Sequence, residues 1–330
     1  MTYSYFLGAN SETGFASLYN EFPGGKSALH IIKGGPGGGK SGFMRRIGSA
    51  AEKHGLDVEY ILCSGDPDSL DGVHIPALGC AWVDGTAPHI IEPEVFGTTS
   101  DYVNLGRFCS TPLSPADSEK AAWLSRAYKD IYGRAYNYLA AAGAIDRALD
   151  ISSSANELLP DIKALLEKHV PSLERRGKIT KRFISAHSCL GRVVLEDTVS
   201  KLCKLIYRVH ATSAVLDSIA DEAVLRGATV IICPSPLRPL ETEAVLIPEC
   251  SLAFVSARLG FSSGELLGSP ASGSAEQEVA AQLYGRTLSL AYDRLREAKA
   301  LHDELERVYR PYMDFAALDE YTESVINALF

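Results

Sequence analysis

The chain has 330 residues, enough for two domains, and 46% of them are apolar, the share of an ordinary globular protein rather than a disordered one. A formal net charge of -9 argues against a broad electrostatic surface for nucleic acid, so a DNA-binding reading starts at a disadvantage. The N-terminus, MTYSYFLGANSE, has no basic segment followed by an apolar core, and no apolar run approaches the roughly 18 residues of a spanning helix, so a soluble cytoplasmic protein that avoids membranes is expected.

In chain order, Tyr3 to Gly8 reads as a short strand, followed by a turn through Asn10, Ser11 and Gly14 and a short helix around Phe15 to Tyr19. Leu29 to Ile32 is an apolar run that breaks into Gly34-Gly35-Pro36-Gly37-Gly38-Gly39-Lys40-Ser41-Gly42, matching G-x-x-x-x-G-K-[ST]. That spacing has a physical reason. Backbone N–H groups must converge on phosphate oxygens, and side chains at those positions would hold the backbone away. Lys40 then reaches the β- and γ-phosphates, Ser41 holds Mg²⁺, and the following helix points its positive end at the anion. Phe43, Met44, Ile47 and Ala51 fall on one face of that helix, and Gly55 stops it.

Val58 to Cys63 reads as the next strand, ending in the acidic turn Ser64 to Asp71, after which come Val73 to Ile75 and Leu78 to Val83. Strand, loop, helix, strand is the order of a parallel α/β sheet flanked by helices. Asp84 ends the last of these strands, where P-loop enzymes place the carboxylate that orients Mg²⁺ and its waters. Its neighbour is Gly85 rather than Glu, so fast hydrolysis is not implied. Asp66, Asp68 and Asp71 lie beyond a strand end, where a carboxylate can take a proton from a substrate hydroxyl or position water. His89 is a candidate γ-phosphate sensor; Arg45, Arg46, Arg107, Arg126, Arg134 and Arg258 are candidate phosphate or finger arginines among which the sequence does not choose.

The second half follows the same plan. Phe183-Ile-Ser-Ala-His-Ser with Gly191 is spaced as Phe6-Leu-Gly-Ala-Asn-Ser with Gly14, and Ile247-Pro248 precedes Leu252-Ala-Phe-Val-Ser256 as Ile75-Pro76 precedes Cys80-Ala-Trp-Val-Asp84. The glycine loop is missing there: Ala211-Thr-Ser-Ala stands before the helix, and the strand-end aspartate has become Ser256. Each half closes in helices, Ser118 to Leu149 with Glu157 to His169, and Glu276 to Tyr309, while Thr111 to Pro115 and Ser262 to Ser274 read as loops. The division is therefore 1–178, a P-loop domain with a competent site and a helical extension, and 179–330, a degenerate copy with its own extension. The seven scattered cysteines, none in a C-x-x-C pair, read as reduced thiols.

Phe6-Leu-Gly-Ala-Asn with Gly14-Phe15, Lys33 to Ser41, Asp68-Ser-Leu-Asp-Gly72, Asp84-Gly-Thr-Ala-Pro-His89 and Tyr312-Met-Asp-Phe315 resemble a family of uncharacterised bacterial ATPases built from two tandem P-loop halves. The resemblance implies ATP and Mg²⁺ at Gly34 to Ser41 and Asp84, and gives Asp71 and His89 a role beside them. Both halves of that family can carry a P-loop, so the eroded second copy is a departure, and it counts against mechanisms that need two hydrolysing sites. The expectation is an ATP-binding P-loop NTPase with slow Mg-dependent hydrolysis and a non-binding second half. A small-molecule or nucleotide kinase, and a non-catalytic nucleotide-dependent switch or assembly protein with a partner on the helical extensions, are the alternatives; pairing of the halves within a chain or between chains is left open.

Overall fold

The computed structural model describes residues 1–22, 28–88, 90–92, 100–149, 155–269 and 274–330. It holds two six-stranded, mostly parallel sheets flanked by helices. The first half runs β1 (Tyr3–Phe6), a hairpin of β2 (Gly8–Ser11) and β3 (Gly14–Ser17), β4 (Ala28–Lys33), α1 (Lys40–Lys53), β5 (Glu59–Leu62), β6 (Leu70–Ile75), β7 (Cys80–Asp84) and β8 (Ser100–Asn104). Two helices follow, α2 (Pro115–Leu149) and α3 (Ala155–His169). The second half runs β9 (Lys178–Lys181), a hairpin of β10 (Ser185–Ser188) and β11 (Gly191–Val194), α4 (Glu196–Leu202), β12 (Leu205–Val209), α5 (Ser213–Leu225), β13 (Thr229–Pro234), β14 (Thr242–Ile247), β15 (Leu252–Ser256) and β16 (Glu265–Leu267). It ends in α6 (Ala275–Tyr309) and α7 (Phe315–Leu329).

The first sheet is ordered β1-β5-β6-β7-β4-β8 and the second β9-β13-β14-β15-β12-β16, the same order position by position. In each sheet a single strand, β6 or β14, runs against its neighbours, and every residue of both strands is buried. A strand buried on both faces reads as a continuous apolar run, which is how Val73 and Ile75, or Val245 to Ile247, stand out in the sequence.

Helix α1 lays Phe43, Met44, Ile47 and Ala51 on Ile32, Val73, Ile75 and Trp82. Helix α5 does the same in the second sheet with Val215, Leu216, Ile219 and Ala223 on Val230, Val245 and Phe254. The outer cover of each core comes from the other half of the chain. Leu318 of α7, with Phe315, Tyr321 and Val325, completes the α1 core, whereas Ile162 and Leu166 of α3 complete the α5 core. Between the sheets, α2 and α6 pair antiparallel, because Ala121 and Leu124 meet Leu305 and Val308 while Leu139 and Ala142 meet Leu288 and Ala291. Near the midpoint Phe6 and Phe183 exchange backbone hydrogen bonds, N to O at 2.9 and 3.0 Å.

Several sequence expectations need correction. The helix expected around Phe15 to Tyr19 is strand β3 followed by a short 3₁₀ turn at Tyr19–Glu21, because pairing with β2 satisfies its backbone. Leu78 belongs to a 3₁₀ turn, Pro76–Leu78, rather than to β7. The stretch expected as a loop from Ser262 to Ser274 contains β16, which pairs with β12. No helix among the described residues is long and apolar enough to cross a membrane.

Candidate functional site

The glycine-rich loop leaves the end of β4 and enters α1 through Gly39, which caps the helix in the left-handed region at φ 79°. Gly37 is also left-handed, at φ 67°. An L residue with a Cβ is strained in that region, so the two turns that bring the loop back over α1 demand glycine. Gly35 and Gly42 serve a different end: a Cβ at either position would meet nothing within 4 Å. Their bareness is unnecessary for packing and leaves the backbone open to an approaching ligand. The first-turn N–H groups of Lys40, Ser41 and Gly42 have no carbonyl four residues back within the helix.

Lys40 and Asp84 come together at this point, with Ser41 the next residue of the helix. Strand β7 lies beside β4 with Asp84 opposite Ile32, so the carboxylate emerges next to the start of the loop. Lys40 Nζ stands 3.6 Å from Asp84 Oδ2 and donates to the carbonyls of Gly34 and Gly35 at 3.0 and 3.1 Å. The other carboxylate oxygen, Oδ1, accepts from the Thr86 N–H and hydroxyl at 2.8 and 2.6 Å, which leaves Oδ2 directed toward the lysine. Ser41 Oγ accepts from Leu70 N at 2.9 Å, tying α1 to the start of β6. A hydroxyl at the first helical turn and a carboxylate at the neighbouring strand end are oxygen donors of the kind that could hold Mg²⁺, an ion that keeps several of its waters. Among the described residues no cluster of three or more His, Cys, Asp or Glu could hold a metal by itself.

The remaining sequence candidates divide. Asp71 is a buried residue of β6, not part of an open acidic loop, and it accepts from Tyr19 OH at 3.1 Å. Burial and the Asp71 charge push the Tyr19 phenol well above its ordinary range, so the phenol keeps its proton and donates it to Asp71. Asp66 accepts from Ser69 and sits 3.4 Å from Lys299 of α6. Arg45 donates to the Asp68 carbonyl, and Arg46 binds Asp319 and Glu323 of α7. Arg107 lies over the rings of Phe108 and Tyr321, while Arg258 binds Asp146. His89 lies outside the described residues.

Sequence reasoning missed the lid over the loop. A Cβ on Gly37 would lie 2.8 Å from the Glu306 carbonyl of α6, and one on Gly39 would lie 2.7 Å from Leu318 of α7. The loop is thus covered by the end of one second-half helix and the start of another. Lys299, His302, Asp303 and Glu306 continue along α6 at spacings of three and four, and Lys299 binds Asp303 as well as Asp66. Burial lowers the His302 pKa, against the pull of Glu306 and Asp303 and with Lys299 and then Lys40 adding to the fall. The detectable signal was a polar stripe at helical spacing, interleaved with the apolar Leu295, Ala298 and Leu305.

Searches against protein-family models, curated proteins and solved structures find no match to this chain.

Proposed function

We propose that the chain is an ATP-binding P-loop NTPase with slow Mg-dependent hydrolysis, in which two copies of one α/β plan have diverged and the first keeps the nucleotide site. The observation that carries this is the meeting of Lys40 with Asp84, next to Ser41, at a loop whose left-handed glycines turn it over the start of α1. Lys40 holds the loop carbonyls of Gly34 and Gly35, so an arriving polyphosphate gives it a better partner and frees those carbonyls. The N–H groups at the head of α1 bind the phosphate oxygens. Ser41 and Asp84 would hold Mg²⁺, which when bound neutralises charge that develops on the phosphates. Thr86 fixes the Asp84 carboxylate, and Gly85 supplies no second carboxylate to activate water, in keeping with slow turnover.

The contact of Gly37 with Glu306 and of Gly39 with Leu318 favours a second element of the reading, in which nucleotide state at the loop is felt by α6 and α7. A kinase is less well supported, because Asp71 is buried against Tyr19 and Asp66 is engaged by Lys299. The test is ATP binding and turnover with Mg²⁺ in wild type, Lys40→Ala and Asp84→Asn. Binding should fall at least ~10-fold in Lys40→Ala, the loss of a charge-assisted contact of ~1.5–3 kcal/mol, and turnover should disappear in both variants. Wild-type protein that folds and binds no ATP would sink the reading.

A further inference from the structure

In the second sheet, the place that the glycine loop occupies in the first is a cavity of about 420 Å³. The correspondence is geometric. Ser256 ends β15 opposite Val209 of β12, as Asp84 ends β7 opposite Ile32 of β4. Ser213 Oγ accepts from Thr242 N at 2.7 Å, as Ser41 Oγ accepts from Leu70 N. Only His210 to Thr212 separate β12 from α5, and among the described residues no lysine lines the cavity, so the cradle for a polyphosphate is absent there.

What remains is a different recognition surface. Helix α5 begins here without a side-chain cap at Thr212, and its first backbone bond within the turn is Val215 N to Thr212 O at 3.1 Å. The N–H groups of Ser213 and Ala214 precede that bond, have no carbonyl four residues back within the helix and sit at its positive end. Arg258 follows Ser256 by two residues, beside the strand that feeds α5, and its carbonyl accepts from Arg192. Both arginines line the cavity and remain a third to a half exposed while bound to Asp146 and Glu243. Opposite in character is His187: it is 2% exposed, its Nδ1 bonds Tyr292 OH at 2.8 Å, it lines the cavity, and its Nε2 has no partner among the described residues. That nitrogen is reachable from the cavity and makes no hydrogen bond to the described residues, so a ligand in a cavity of this size can use it.

The charge balance limits what that ligand is. Among the described residues, three arginines, 192, 238 and 258, face four carboxyl residues, Asp146, Asp217, Glu241 and Glu243, across the lining. A triphosphate would add several negative charges to a wall already balanced or slightly acidic. A single acidic group satisfies the helix end and the two exposed guanidinium groups without that repulsion. We propose that this cavity is a second binding site, specific for a small molecule carrying one acidic group, a phosphomonoester or a carboxylate, with a polar body that reaches His187. The second half then has a ligand of its own and is more than a scaffold, whether or not the first half binds ATP.

The test uses the full chain, with AMP as the phosphomonoester probe and benzoate as the carboxylate probe, followed by saturation-transfer NMR titration. Ala214→Glu puts a carboxylate at the exposed first turn of α5, where it favours the helix and occupies the anion position. Arg258→Ala removes one guanidinium and leaves Asp146 paired with Arg238 at 2.9 Å, so it serves should the first variant fold poorly. At least one probe should bind wild type saturably and bind each folded variant at least ~10-fold more weakly, the loss of one charge-assisted contact. Binding of AMP alone assigns a phosphomonoester, and binding of benzoate alone a carboxylate. No binding of either probe to wild type, or binding unchanged in both variants, overturns the proposal. ATP–Mg binding measured on the same samples reports the first site separately: its absence in wild type with a probe still bound would overturn the ATPase reading and leave this one standing.

Discussion

Glu243 and His187 face one cavity and carry opposite electrostatic burdens. Burial lifts the Glu243 carboxyl from an ordinary 4.5 to about 7, with Arg192 and the Ser185 hydroxyl opposing the shift. Burial lowers the His187 imidazole from 6.5 to about 3, helped by the Arg192 charge. The folded state therefore binds the Glu243 proton more tightly than the unfolded chain does, so that group's contribution is complete below pH 4.5 and is lost as the pH rises through about 7. The histidine works the other way: its contribution is complete above pH 6.5 and is lost as the pH falls toward 3. Between pH 4.5 and 6.5 the two slopes, each about 1.4 kcal/mol per pH unit at the limit, oppose one another. Glu243→Gln should make stability rise with pH across that window relative to wild type, and His187→Gln should make it fall. Urea unfolding at half-unit pH steps reads both, and parallel curves for the two variants and wild type would show that neither group is shifted as described.

The glycine loop, α6 and α7 form one unit in which some glycines serve the fold and others serve access. Gly39 is left-handed and lies under Leu318, so Gly39→Ala should destabilise by about 1–2 kcal/mol from backbone strain alone. Gly35 has an ordinary φ and open space beside it, so Gly35→Ala should keep wild-type unfolding behaviour and weaken ATP binding, because its methyl group occupies the ligand's approach. Thermal unfolding together with nucleotide titration separates the two effects; a Gly35→Ala protein that binds ATP normally would remove that glycine from the cradle. The distinction was not legible in the sequence, where a run of glycines looks uniform. The loop itself was legible, because G-x-x-x-x-G-K-S after an apolar run is a local pattern. So were α1, β5 and the long helices, whose periodicities are local too. The misreading of Phe15 to Tyr19 and the placing of Asp71 in a loop share one cause: β3 exists by pairing with β2, and β6 by burial between β5 and β7, and neither relation is written in the segment itself. The lid over Gly37 lies about as far away along the chain as a contact can, and no neighbouring residue announces it.

At the scale of the whole molecule, the arrangement ties the halves together more firmly than the sequence boundary at 178/179 suggests. Helix α3 belongs to the first segment and covers α5 of the second, while α7 belongs to the second segment and covers α1 of the first. The antiparallel pair α2 and α6, and the reciprocal bonds of Phe6 and Phe183, add a shared seam between the two sheets. Cutting the chain at 178/179 would leave each fragment with a sheet whose outer helix is missing and with an apolar face of α1 or α5 in water. Replacing a single such contact, as in Leu318→Ala, is already expected to cost roughly 2–5 kcal/mol, comparable to a large part of the stability of an ordinary domain. Residues 1–178 and 179–330 produced separately should therefore be unfolded or aggregated, and produced together should assemble into a one-to-one complex with the far-ultraviolet circular dichroism of the intact chain. The proposed nucleotide site gives this a functional form, since Gly37 and Gly39 lie in one fragment and Glu306 and Leu318 in the other. ATP binding should accordingly appear only on mixing. A cooperatively folded 1–178 fragment that binds ATP unaided would show that α6 and α7 rest on the site without completing it, and that the second half is dispensable to the first.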